Sequence, residues 1–134
     1  MSQSLDRRSE LLRRVTPLAG VLFAGLSIAG DFAMGPFPEG TTSGAALRSF
    51  YSVHAAQVAV GGTLLECAAV FFGIFGIALW ARSRDAVPGV VSGLVVVGVA
   101  VETVAQLDAA SYYSFLGEHG ADPHFAPADR KSVV

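Results

Sequence analysis

Long apolar stretches separated by short polar ones dominate the chain. From Val15 to Met34 it is apolar apart from Thr16, Ser27 and Asp31. That is about 20 residues, or roughly 30 Å as a helix, enough to cross a hydrocarbon core. Pro17 then falls in the first turn, where a missing N–H does little harm. Residues 35–44 hold Gly35, Pro36, Pro38 and Gly40 and predict a loop, with Ser43 placed to cap the next helix. The stretch 45–57 is mixed, with Arg48, Phe50, Tyr51 and His54, and suits an outer interface where aromatic rings settle at headgroup depth. A second span is predicted over 58–80, ending on Trp80 as an anchor, and a tight turn over 82–85. Pro88 opens a third span over 88–107, and Tyr112, Tyr113 and Phe115 form a second aromatic belt. Transmembrane β-strands would alternate in character every second residue, and a lone strand in lipid would leave its backbone unpaired. The predicted class is therefore all-α: a polytopic transmembrane helix bundle of about three spans.

Charge fixes an orientation. Only 15% of the 134 residues are charged, against 52% hydrophobic, and the charges gather at segment ends. Arg7, Arg8, Arg13 and Arg14 precede the first span, and Arg82 and Arg84 sit in the second turn, whereas the intervening loop region holds Arg48 alone. The positive-inside rule places the N-terminus in the cytoplasm, with residues 1–14 as a basic lead-in and 15–128 as the membrane domain of a cell-membrane protein. A cleaved signal peptide ending at Ser27-Ile28-Ala29 is the rival reading. Apolar character running on through Phe32, Met34 and Phe37 argues against it. A net charge of −2 and the lack of a basic stripe exclude nucleic acid as an expected partner. The single cysteine, Cys67, permits no internal disulfide and reads as a small apolar residue.

Three acids lie inside the spans: Asp31, Glu66 and Glu102. A carboxylate at a helix centre costs about 2.5–3.5 kcal/mol on insertion scales and normally faces the bundle interior. If the second and third spans form a hairpin centred on residue 84, Glu66 and Glu102 come to equal depth. Positions three, four and seven from Glu66 are Ala59, Gly62, Ala69 and Gly73, a small-residue face suited to close helix approach. The same spacing from Asp31 gives Ser27 and Ala24, with Gly20 a further turn along. Gln106 follows Glu102 by four residues and shares its face. Gly89 and Gly93 make a further, weak G-x-x-x-G. The candidate polar site is thus Glu66, Glu102, Gln106 and Asp31. As a shared acidic pocket it would hold a proton or cation and suit coupled transport; as polar glue, each acid would hydrogen-bond a neighbouring helix.

No metal centre or cofactor is expected. His54 points about 120° away from Glu66 on the helical wheel. Glu118, His119, Asp122 and His124 lie in a Gly- and Pro-containing tail, where solvation explains them. Nucleophile motifs, phosphate-binding loops and dinucleotide fingerprints are missing, so the chain reads as a non-enzyme. The last six residues, 129–134, break with the composition before them, and one back-translation, GAT-CGG-AAG-AGC-GTC-GTG, resembles a sequencing-library adapter. They are expected to be artefactual, with further spans missing beyond residue 128.

The order of features resembles a group of uncharacterised actinobacterial multi-pass membrane proteins. The likeness is carried by the basic N-terminus, the Pro/Gly loop, the aromatic stretch from Leu47 to His54, and a second span closing on Trp80, Arg82 and Arg84. It covers residues 10–120 and implies membrane residence but no activity. The expected partners are the lipid bilayer and other transmembrane helices, supplied by missing spans or by self-association. The expected role is that of a non-catalytic helix-bundle protein, with a proton- or cation-coupled transporter using Glu66 and Glu102 as the alternative.

Overall fold

The computed structural model describes residues 2–38 and 43–122. Among them the chain forms three α-helices and no strand: α1 (Ser2–Met34), α2 (Gly44–Ser83) and α3 (Gly89–His119). All three are long and apolar enough to cross a membrane. The expected all-α, three-span architecture is what the chain adopts. The suspected tail at 129–134 and His124 lie outside the described residues.

Each helix is longer than the span expected of it. Since α1 starts at Ser2, Pro17 stands inside the helix and not in its first turn. Its ring removes the N–H that the Arg13 carbonyl would accept. Ser43 caps α2 as expected, its Oγ accepting from the Ala46 N–H at 3.3 Å. From there α2 runs unbroken for 40 residues, roughly 60 Å, through the stretch 45–57. Pro88 is the N-cap residue of α3, which continues to His119, well past Leu107. An apolar helix in lipid satisfies its own backbone, so nothing in the sequence forces it to stop at the bilayer thickness.

α2 is the spine, packing against both other helices, while α1 and α3 do not pack on each other among the described residues. Its two contact faces each recur every three or four residues. Gly61, Leu65, Phe72 and Phe75 meet α1: Gly61 lies against Met34 and the Gly30 carbonyl, Leu65 against Gly30, and Phe75 against Gly20. Phe72 and Phe23 have ring centroids 5.2 Å apart. Gly62, Gly73 and Gly76 meet α3 at Ser114, Thr103 and Val99, and Ala59 lies against Gly117. The two faces are offset by one residue, hence by about 100° around α2. Two helices packed 8–10 Å from a third at that angle stand roughly 12–15 Å apart, too far to touch. A groove of about 290 Å³ remains between them, lined by Phe23, Ser27, Leu65, Ala68, Gln106 and Tyr113 among others.

Both ends of the bundle are closed by aromatic residues. At the turn between α2 and α3, the indole Nε1 of Trp80 donates to Ser92 Oγ at 2.5 Å. The Arg84 guanidinium sits 5.7 Å from the Trp80 ring. At the far end Phe37 bridges Phe50 of α2 and Tyr113 of α3, at 5.7 and 5.5 Å between centroids. Phe37 comes from the linker after α1, so this cluster gathers all three helices at the level expected of an interfacial belt.

Candidate functional site

The small-residue face around Glu66 is a helix–helix contact. Ala59, Gly62 and Gly73 each meet α3, and Ala69 is fully buried on the same face. Half-buried Glu66 lies on that face as well, and Ser114 Oγ donates to its Oε1 at 3.0 Å. The bond depends on glycine one turn away. A Cβ on Gly62 would lie 2.6 Å from both the N and Oγ of Ser114, so only a residue without a side chain lets this part of α3 come close enough.

Ser114 departs from what Ser27, Thr63 and Thr103 do. Ser27, Thr63 and Thr103 each donate to the carbonyl four residues earlier, at 2.9, 3.0 and 2.7 Å. Such back-bonding is the default for a hydroxyl inside a helix. Ser114 instead crosses to a carboxylate 48 residues away in sequence.

Glu102 is not level with Glu66. Gly62 with Ser114, Gly73 with Thr103 and Ala59 with Gly117 are pairs whose residue numbers all sum to 176. The hairpin register is therefore centred on residue 88 and not on 84; α2 stays helical through Ser83 and the turn over 84–88 has its own midpoint at 86, which moves the centre in the same direction. An error of four in the centre becomes eight in the partner. The residue opposite Glu66 is Ala110, and Glu102 stands opposite Ile74, roughly 12 Å away along the axis. The two acids share no pocket in this arrangement. Glu102 is exposed and accepts from Gln106 Nε2 on its own helix at 3.0 Å, the four-residue pairing expected of them. Gln106 borders the groove between α1 and α3.

Asp31 is exposed, and its face does not meet α2 as a unit. Gly20 touches Phe75 and Ser27 borders the groove, but the close contact at this level belongs to Gly30, the preceding residue. One residue is 100° of helix, which turns Asp31 and Ala24 outward. Gly89 and Gly93 make no close contact. His54 stacks on Phe50 at 4.4 Å and lies 3.0 Å from the Phe50 carbonyl through Nδ1. His119 stacks on Phe115 at 4.6 Å. No cluster of potential metal ligands occurs among the described residues.

Two residues that matter here are not evident from the apolar runs. Ser114 completes the Glu66 contact, and Asp108 puts a further carboxylate on the exposed side of α3, beside Val101, Val104 and Ala105. Both lie beyond the expected end of the third span at Leu107. The signal that could have found Ser114 is the small-residue series Ala110, Ser114 and Gly117, which carries the helix contact face past that boundary. Comparison of the chain with protein-family models, with curated proteins and with solved structures gave no match.

Proposed function

We propose that the chain is a non-catalytic, multi-pass protein of the cell membrane, with its N-terminus in the cytoplasm, that acts through helix–helix association. The observation that carries this reading is the bond from Ser114 to Glu66. The most enclosed of the candidate acids is taken up by a neighbouring helix, which is the behaviour of polar glue, and the acid suggested as its partner lies on another level. The arginine distribution supports the orientation, with six basic residues flanking the α1 entry and the α2–α3 turn.

The test uses the whole chain reconstituted in sealed phospholipid vesicles, comparing wild type with the Glu66→Gln, Glu102→Gln double variant. An amide oxygen accepts from Ser114 as a carboxylate does, so the double variant should keep its helicity and its resistance to unfolding by SDS. Proton and sodium leak should be the same for both proteins. A flux present in wild type and missing from the folded double variant would overturn the proposal.

A further inference from the structure

α3 is the least covered of the three helices, and its uncovered side is shaped. Ala100, Val101, Val104 and Ala105 border a shallow hollow of about 520 Å³, with Asp108 at its edge. The alanines lower the surface locally, and small side chains are what permit close helix approach in lipid. By the hairpin register Asp108 is level with Ala68, twelve residues from Trp80, or roughly 18 Å from that anchor into a core of about 30 Å. No hydrogen bond or ion pair reaches its carboxylate among the described residues. An acid at such a depth normally faces protein and pairs with another polar or charged group.

Charge restricts what can cover it. Arg48 is the only arginine or lysine between Val15 and Ala81, and residues 87–128 contain neither. A second copy presenting the same face would bring Asp108 against Asp108, where the two carboxyls could not both ionise and neither would gain a counter-ion. We propose that this face of α3 docks a transmembrane helix that carries an arginine or lysine near mid-membrane, its cation meeting Asp108. The inference rests on the helix-association reading above and adds the chemistry of the partner. Charge complementarity argues for this occupant over lipid, which would leave the carboxylate in hydrocarbon without a counter-ion.

The probe is a synthetic Leu/Ala transmembrane helix with one central arginine, labelled as an energy-transfer acceptor. A matched helix with leucine at that position is the control. The full chain, labelled in the 84–88 turn, is reconstituted with each in phosphatidylcholine vesicles. Transfer to the arginine helix should exceed transfer to the leucine helix, should fall at least about tenfold in apparent affinity with Asp108→Asn, and should be retained with Asp108→Glu. Asp108 is exposed, so SDS unfolding of Asp108→Asn should match wild type, separating loss of the partner from loss of the fold. Equal binding of the two peptides, or no binding of either, would overturn the proposal, as would an arginine helix insensitive to Asp108→Asn. Energy transfer between copies of the chain that disappears with Asp108→Asn would give the face to a second copy and likewise overturn it. None of these failures touches the Glu66 test, whose readouts are flux and folding of the chain alone.

Discussion

Glu66 and Ser114 join α2 to α3 through a single hydroxyl-to-carboxylate bond of 3.0 Å, beside the glycine that lets the helices approach. The geometry is reciprocal. Close approach at Gly62 brings Ser114 within reach, and the bond in turn favours the register in which Gly62, Gly73 and Gly76 all meet α3. Small residues supply van der Waals contact without specifying a level, whereas a hydrogen bond is made at one level only. The hairpin is therefore held by the glycines and indexed by Glu66.

That pairing has a measurable coupling. In a double-mutant cycle of Glu66→Leu and Ser114→Ala, followed by SDS unfolding, the interaction energy should be about 0.6 kcal/mol and at most about 1.7 kcal/mol, the range for interhelical hydrogen bonds in membranes. A coupling indistinguishable from zero would mean that the bond contributes nothing to the hairpin.

Two glycines on different faces should respond in opposite ways to alanine. At Gly62 the new Cβ meets backbone, the Ser114 N at 2.6 Å and the Ala110 carbonyl at 3.1 Å, so α3 must shift. A loss of about 1–3 kcal/mol is expected. Gly93 has nothing within 4 Å, and Gly93→Ala should leave stability unchanged or raise it by less than about 1 kcal/mol, from helix propensity. Equal losses at both sites would contradict the assignment of faces.

Much of this architecture was legible in the sequence. The apolar runs gave three helices, Ser43 gave a cap, and the small residues around Glu66 gave a contact face that the structure directs to α3. The levels were not legible, for a physical reason. Periodicity reports which way a residue points, at 100° per step, but says nothing of which residue on the next helix lies opposite. That is decided by where α2 stops winding. The helices outrun the expected spans because bilayer thickness bounds the apolar run and not the helix, so α3 passes Leu107 and carries Asp108 and Ser114 with it. At Asp31 the contact with α2 lies at Gly30, and a single step of 100° separates the face toward α2 from the one that carries Asp31.

Trp80 is the chain's only tryptophan, so its emission reports one position. Bonded to Ser92 and lying near Arg84, it should sit at the membrane interface by the α2–α3 turn. In vesicles, lipids carrying a nitroxide near the headgroup should quench it more strongly than lipids labelled deep in the acyl chain. Stronger quenching by the deep label would move the turn into the hydrocarbon and displace every level counted from Trp80.

Orientation yields to single-cysteine labelling in a Cys67→Ala background, with a membrane-impermeant maleimide applied to intact cells. Asp85 lies in the turn between α2 and α3, beside Arg84, and Ala121 lies just past the far end of α3. Both are exposed, so accessibility is set by the membrane and not by packing. With the arginine-rich side inward, Ala121→Cys should react on intact cells, and Asp85→Cys should react only after permeabilisation. In the chain that keeps it, Cys67, exposed on the structure yet level with Ala109 within α3, should react in neither condition, because a charged reagent does not enter hydrocarbon. Reaction of Asp85→Cys from outside would invert the topology, while reaction of Cys67 would place a water-filled path beside α2. These are separate results, since the first concerns which way the bundle faces and the second whether α2 is sealed in lipid at all.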